Sequence, residues 1–125
     1  MSTTTVTVLG TTVNGTPSGN YDGSSLDFVS DTAKSVGYYR GQGSLQTLII
    51  QVTAFNGTID IQGSLDEDPT GIDSQVGWSN IYTYDAAGES RTDYHPENLV
   101  GNFAWIRAVI SNFEAGTINT ITTTY

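Results

Sequence analysis

Apolar and polar residues alternate along most of this chain, and most regularly over residues 45–66, LQTLIIQVTAFNGTIDIQGSLD. Two alternating runs flank Asn56-Gly57, a pair that tolerates the positive φ of a type I′ turn. With that turn, Ala54 faces Ile59, Val52 faces Ile61, Ile50 faces Gly63 and Leu48 faces Leu65. On the other face Thr53 meets Asp60 and Gln51 meets Gln62. One face is then apolar and the other polar, and a one-residue slip would destroy the segregation. The pattern predicts a hairpin with one side on a core, its polar residues ordinary solvated strand positions.

The rest of the chain reads in the same style. Strands are expected over 3–9, 26–29, 36–40, 78–84, 103–110 and 117–125, with a break at 41–43. Turn-like passages cover 85–96 and 114–116, and an acidic loop covers 66–77. No segment holds a helical period. These signals predict an all-β fold, an antiparallel β-sandwich of jelly-roll type with about eight short strands. Residues 26–125 form the sandwich of a single domain. Residues 1–25 carry one strand and then the turn-rich stretch 13–25, which offers little to anchor a core and reads as a flexible arm that orders only against a partner.

One echo runs through the chain. The segment 48–59 ends in F-N-G-T-I and 106–118 in F-E-A-G-T-I. Aligning Phe55 with Phe113 sets Leu48, Ile50 and Val52 over Ile106, Ala108 and Ile110. The economical reading is two similar hairpins in a pseudo-symmetric sandwich. Ile118 and Ile121 are out of phase, which calls for a bulge between them.

Composition narrows the function classes. With 125 residues the chain can bury a core without staples, and its lack of cysteine excludes disulfides, thiolate metal sites and a cysteine nucleophile. Four Lys and Arg stand against 13 Asp and Glu, a net charge of −9. That balance disfavours nucleic acid and an acidic membrane surface as partners. No apolar run reaches the ~20 residues of a membrane helix, and the N-terminus lacks the basic and apolar regions of a secretory signal.

Candidate chemistry is sparse. His95, the lone histidine, precedes Pro96 in a turn-like stretch with no nucleophile motif nearby, so no catalytic residue is assigned. No metal site or cofactor is assigned either. The acid cluster Asp66, Glu67, Asp68 and Asp73 lacks the spacing of an EF-hand and reads better as an exposed loop than as a calcium site. Asn14-Gly15-Thr16 and Asn56-Gly57-Thr58 match the glycosylation pattern but are better explained as turns. The alternation of 103–110 puts Trp105 and Arg107 outward, a pairing typical of a protein interface and the candidate partner-binding patch. Trp78, Tyr82, Tyr84 and Tyr94 are the candidate sugar-stacking residues should the protein bind a glycan, against the alternative that such aromatics are core or interface anchors.

The succession GYYRGQGSLQTLIIQVTAFNGTIDIQGSLDEDPT, a Trp-containing strand, then GNFAWIRAVISNFEAGTINTI resembles small virion structural proteins of tailed phages, above all those of phages infecting cyanobacteria and other marine bacteria. The resemblance spans about residues 26–121 and rests on strand and turn pattern, with Gly-Thr-Ile after each turn. It implies a non-enzymatic particle component: a capsid decoration protein or another head, neck or tail surface module. The implied partners are capsid, neck or tail proteins and further copies of the chain, in a virion assembled in the host bacterial cytoplasm. The alternative is a carbohydrate-binding sandwich recognising host surface glycan.

Overall fold

The computed structural model describes residues 5–35, 45–65, 77–101 and 103–125. They form β1 (Thr5–Leu9), β2 (Thr12–Val13), β3 (Phe28–Val29), β4 (Ala33–Lys34), β5 (Leu45–Ser64), β6 (Ser79–Asp85), β7 (Arg91–Val100) and β8 (Trp105–Thr124). The strand expected over 36–40, the break at 41–43 and the acid cluster of 66–73 lie outside the described residues.

The expected hairpin does not form. β5 runs straight through Asn56-Gly57 for 20 residues and pairs antiparallel with β8, itself 20 residues long. Ile50 faces Ile121 and Val52 faces Ile118, while Ile61 faces Ala108 and Gly63 faces Ile106. The turn expected at 114–116 is likewise inside β8. The echo is real, but its two copies are partners across one ladder and not two hairpins.

Both long strands bend at the same place, and bulges make the bend. Ala54 (φ 50°) and Asn112 (φ 52°) take left-handed conformations, and the ladder shifts register between Thr53 and Thr58. The extra residue resets the alternation, so Val52 and Phe55 both point inward. The two echoed glycines meet the partner strand at this corner. A Cβ on Gly57 would lie 3.1 Å from the carbonyl oxygens of Ser111 and Asn112. One on Gly116 would collide with the Ala54 carbonyl. A second shift, where Gln51 faces Thr120 and Val52 faces Ile118, leaves Asn119 extra and is the bulge expected between Ile118 and Ile121.

The bend splits the sheet into two layers. In the first the order is β1-β8-β5-β7; in the second β6 flanks β5 and β3 with β4 flanks β8. The layers face each other, because side chains of one reach the other. Gln46 Nε2 donates to Ser35 Oγ at 2.6 Å while Thr123 Oγ1 donates to Gln46 Oε1 at 2.6 Å, and Tyr125 donates to the Lys34 carbonyl. The expected all-β, jelly-roll-like sandwich is therefore present, built from two long bent strands with shorter pieces along their edges.

Leu48, Ile50, Val52, Ile118 and Ile121 of the first layer and Ile59, Ile61, Ile106, Ala108 and Ile110 of the second form the core. The corner is filled by rings: Phe113 lies 5.7 Å from Phe55, 5.3 Å from Tyr21 and 6.1 Å from Phe28. Tyr21 is 2% exposed, so the turn-rich stretch after β2 does anchor the core. Residues 85–96, expected as turn, contain a short turn and then β7, which runs beside β5 from Arg91 opposite Phe55 to Val100 opposite Leu45. Leu65, expected to face Leu48, is exposed.

Candidate functional site

The second layer's outer face takes up Trp78, Trp105 and Arg107 of the candidate residues. The register puts Arg107 on that face beside Gln62, as the alternation predicted. It is not exposed: its accessibility is 0%, its Nε donates to Gln62 Oε1 at 2.8 Å, and its Cζ sits 4.4 Å over the Trp78 ring. Trp78, from just before β6, closes over the guanidinium and is itself only 8% exposed. A partner-binding candidate and a glycan-binding candidate thus stack on each other, and Gln62 is a buried anchor instead of a solvated strand residue. Trp105, paired in register with Lys34, is half-buried.

A polar seam closes the edge between the layers. Alternate residues of β7, namely Arg91, Asp93, His95 and Glu97, turn towards the tyrosines of β6. Tyr82 Oη lies 2.8 Å from His95 Nε2 with the rings stacked at 7°, and Glu97 Oε1 is 3.2 Å from the same nitrogen. Tyr84 donates to Asp93 Oδ2 at 3.0 Å, and the Arg91 guanidinium, also paired with Glu89, lies 5.1 Å from its ring centre. Burial pushes the Tyr84 phenol up to about 12, and burial with the Glu97 and Asp93 charges raises Tyr82. Both phenols stay protonated at neutral pH, and their bonds to Asp93 and His95 fasten one layer to the other. His95 belongs to a strand, not a loop, and Tyr84 is buried; Tyr94 alone of the four candidate stacking residues is exposed.

The first layer's outer face is different in kind. Reading across the strands in register, Thr5, Thr124, Thr47 and Asn98 make one row. Thr7, Thr122, Ile49 and Pro96 make the next, followed by Thr120, Gln51 and Tyr94 and then Thr53 with Thr117. Leu45 and Val100 complete one end. Among the described residues none on this face is charged, although the chain carries −9. Part of its hydroxyl capacity is used within the face: Thr47 donates to Asn98 Oδ1 at 2.8 Å, Thr53 to Asn119 Oδ1 at 2.8 Å, and Thr5 and Thr124 meet at 3.2 Å. Leu45, Tyr94 and Val100 are 59, 64 and 76% exposed, so large apolar side chains collect along its β5–β7 side. The second layer, by contrast, shows Asp60 and Asp85 on its outer face.

No protein-family model matches this chain, and no curated protein matches it. The face is therefore judged on its own chemistry. Its described residues offer hydroxyl, amide and apolar side chains and no titratable acid or base other than the Tyr94 phenol. Sequence reasoning singled out Tyr94 alone of its residues, because the threonines around it, taken singly, are ordinary strand residues. The missing signal was the joint absence of charge at outward positions of four segments far apart in sequence.

Proposed function

We propose that this protein is a non-enzymatic structural module of a tailed-phage particle, a capsid decoration or other head, neck or tail surface protein that assembles through its neutral sheet face. The observation that carries the reading is that face, whose described residues bear no charge in a chain of net −9. The resemblance of residues 26–121 to virion structural proteins supplies the biological setting. Repetition on a particle lattice would let each contact be modest. A glycan-binding role draws less support, since Trp78 and Tyr84 are buried and Tyr82 is held against His95.

The test is direct. Purified protein mixed with isolated particles lacking it should co-sediment saturably at a fixed copy number. Failure to bind heads, necks or tails would end this reading, and glycan-array binding lost in Tyr94→Ala would replace it with the carbohydrate one.

A further inference from the structure

We infer that the neutral face of the first layer is the contact between two copies of this chain, related by a two-fold axis. The inference rests on the reading of that face as an assembly surface and names what occupies it.

Charge decides the occupant. In a two-fold contact the same patch meets itself, so any net charge on it would face the same net charge on the other copy. Two molecules of −9 each meet most readily where the patch carries no net charge, and the described residues of this face meet that condition. The second layer's outer face, with Asp60 and Asp85, does not. A basic partner, by contrast, would be matched by an acidic patch. The chemistry is also self-complementary: a threonine hydroxyl both donates and accepts, and its methyl packs against another methyl.

Geometry agrees. Four strands spaced ~4.8 Å apart, followed over residues 45–53 at ~3.3 Å each, span roughly 19 by 30 Å in projection. Two such faces would bury about 1,100 Å² in total at most, near the lower end of specific interfaces and in keeping with a modest affinity. Contact through the β7 edge is disfavoured, because Pro96 lies in that strand and offers no N–H to an added strand. The copies therefore meet face to face, as two sheets stack in a sandwich, with Ile49 and Thr122 near the axis.

Sedimentation velocity on the full chain tests this across about 1 to 200 μM, the range in which modest interfaces dissociate. The expected result is a monomer–dimer equilibrium that tightens as salt rises, because screening relieves the net repulsion of two acidic molecules. Ile49→Glu and Thr122→Glu should each weaken dimerisation at least tenfold, whereas Asp60→Asn, on the opposite outer face, should not. Equilibrium unfolding of each variant verifies that it is folded. A wild type that stays monomeric, or glutamate variants that dimerise normally, would overturn the inference. The particle assay separates the two readings. A monomeric protein whose particle binding is lost in Ile49→Glu keeps the virion role and gives the face to a particle protein. A dimer that binds no particle keeps the self-contact and loses the virion role.

Discussion

Gly116 offers a test of the bent long strands, because Gly15 serves as its control. Both have almost the same backbone, φ +92° and +90°, but the space around them differs. A Cβ at Gly15 meets nothing within 4 Å, while one at Gly116 runs into the Ala54 carbonyl and the Phe55 backbone. Placing alanine at such a φ costs about 1–2 kcal/mol, partly offset at either site by about 0.4–1 kcal/mol from the lost freedom of the unfolded chain. Gly15→Ala should therefore destabilise by about 1 kcal/mol or less. Gly116→Ala carries the same terms plus an overpacking cost of about 1–3 kcal/mol, since β5 and β8 must separate where Phe55 and Phe113 touch.

The expected total for Gly116→Ala is about 2–4 kcal/mol. At about 2.1 cal/mol/K of unfolding entropy per residue, a chain of 125 residues loses about 4 °C of Tm per kcal/mol. The two variants should differ by the overpacking cost alone, and so by about 4–12 °C. Urea unfolding followed by tryptophan emission gives the free energies, and an unchanged m-value shows that the loss lies in the folded state. If Gly116 sat in an open turn, as the sequence pattern suggests, it would behave like Gly15. Two variants within about 0.5 kcal/mol of each other would refute the corner.

Three further perturbations bear on the fold and the face. Thr53 and Thr117 are cross-strand partners, so Thr53→Cys with Thr117→Cys should oxidise spontaneously and stabilise by about 2–4 kcal/mol; non-reducing electrophoresis reports it, and preferential oxidation of Thr53→Cys with Asp60→Cys would restore the hairpin. Arg107→Ala leaves Gln62 Oε1 without the Nε donor and empties the space under Trp78, for a loss of about 2–4 kcal/mol and a shift in Trp78 emission. Self-association of the folded variant should be unchanged, and a variant of normal stability with lost association would return Arg107 to the role of partner contact. The Asp22 carboxylate is held down at about 2, first by the Ser24 amide and then by Ser25, against an ordinary 3.8. Its contribution is complete above pH 3.8 and vanishes as pH falls through 2, so the Tm difference between wild type and Asp22→Ala should shrink over that window and not near neutrality.

The sequence carried the inward phase of both long strands but not their pairing. Leu48, Ile50, Val52, Ile59, Ile61, Ile106, Ala108 and Ile110 are all buried as read. A hairpin that folds back at Asn56-Gly57 and a strand that bends there expose almost the same residues, so alternation cannot separate them. Ala54 and Leu65 were discordant, inward in the hairpin and exposed in the structure, as was Gln62, read as solvated and found buried. β7 was hidden for another reason. Its inward positions are Arg91, Asp93, His95 and Glu97, which pair with each other and with the β6 tyrosines, so the strand buries polar groups and reads as loop. Arg107 shows the same limit from the other side. Alternation set its face correctly, but only the fold brings Trp78 over it.

The bend also explains how one pair of strands can present two unlike surfaces. Up to Thr53, β5 turns Thr47, Ile49 and Gln51 to the outside; after the corner it turns Asp60 and Gln62. β8 does the reverse, with Trp105 and Arg107 before its bulge and Thr120, Thr122 and Thr124 after it. Because the strands are antiparallel, the threonine half of β8 lies beside the neutral half of β5, and Arg107 lies beside Gln62. Charge on one outer face therefore never enters the other, even though the same two strands build both. The glycine in each echo permits the close approach at the corner that makes this division possible, since a Cβ at Gly57 or Gly116 would press on the facing strand. In this protein Gly-Thr-Ile marks where a strand changes layers. A turn is what the dipeptide suggests, and a corner is what the ladder makes of it.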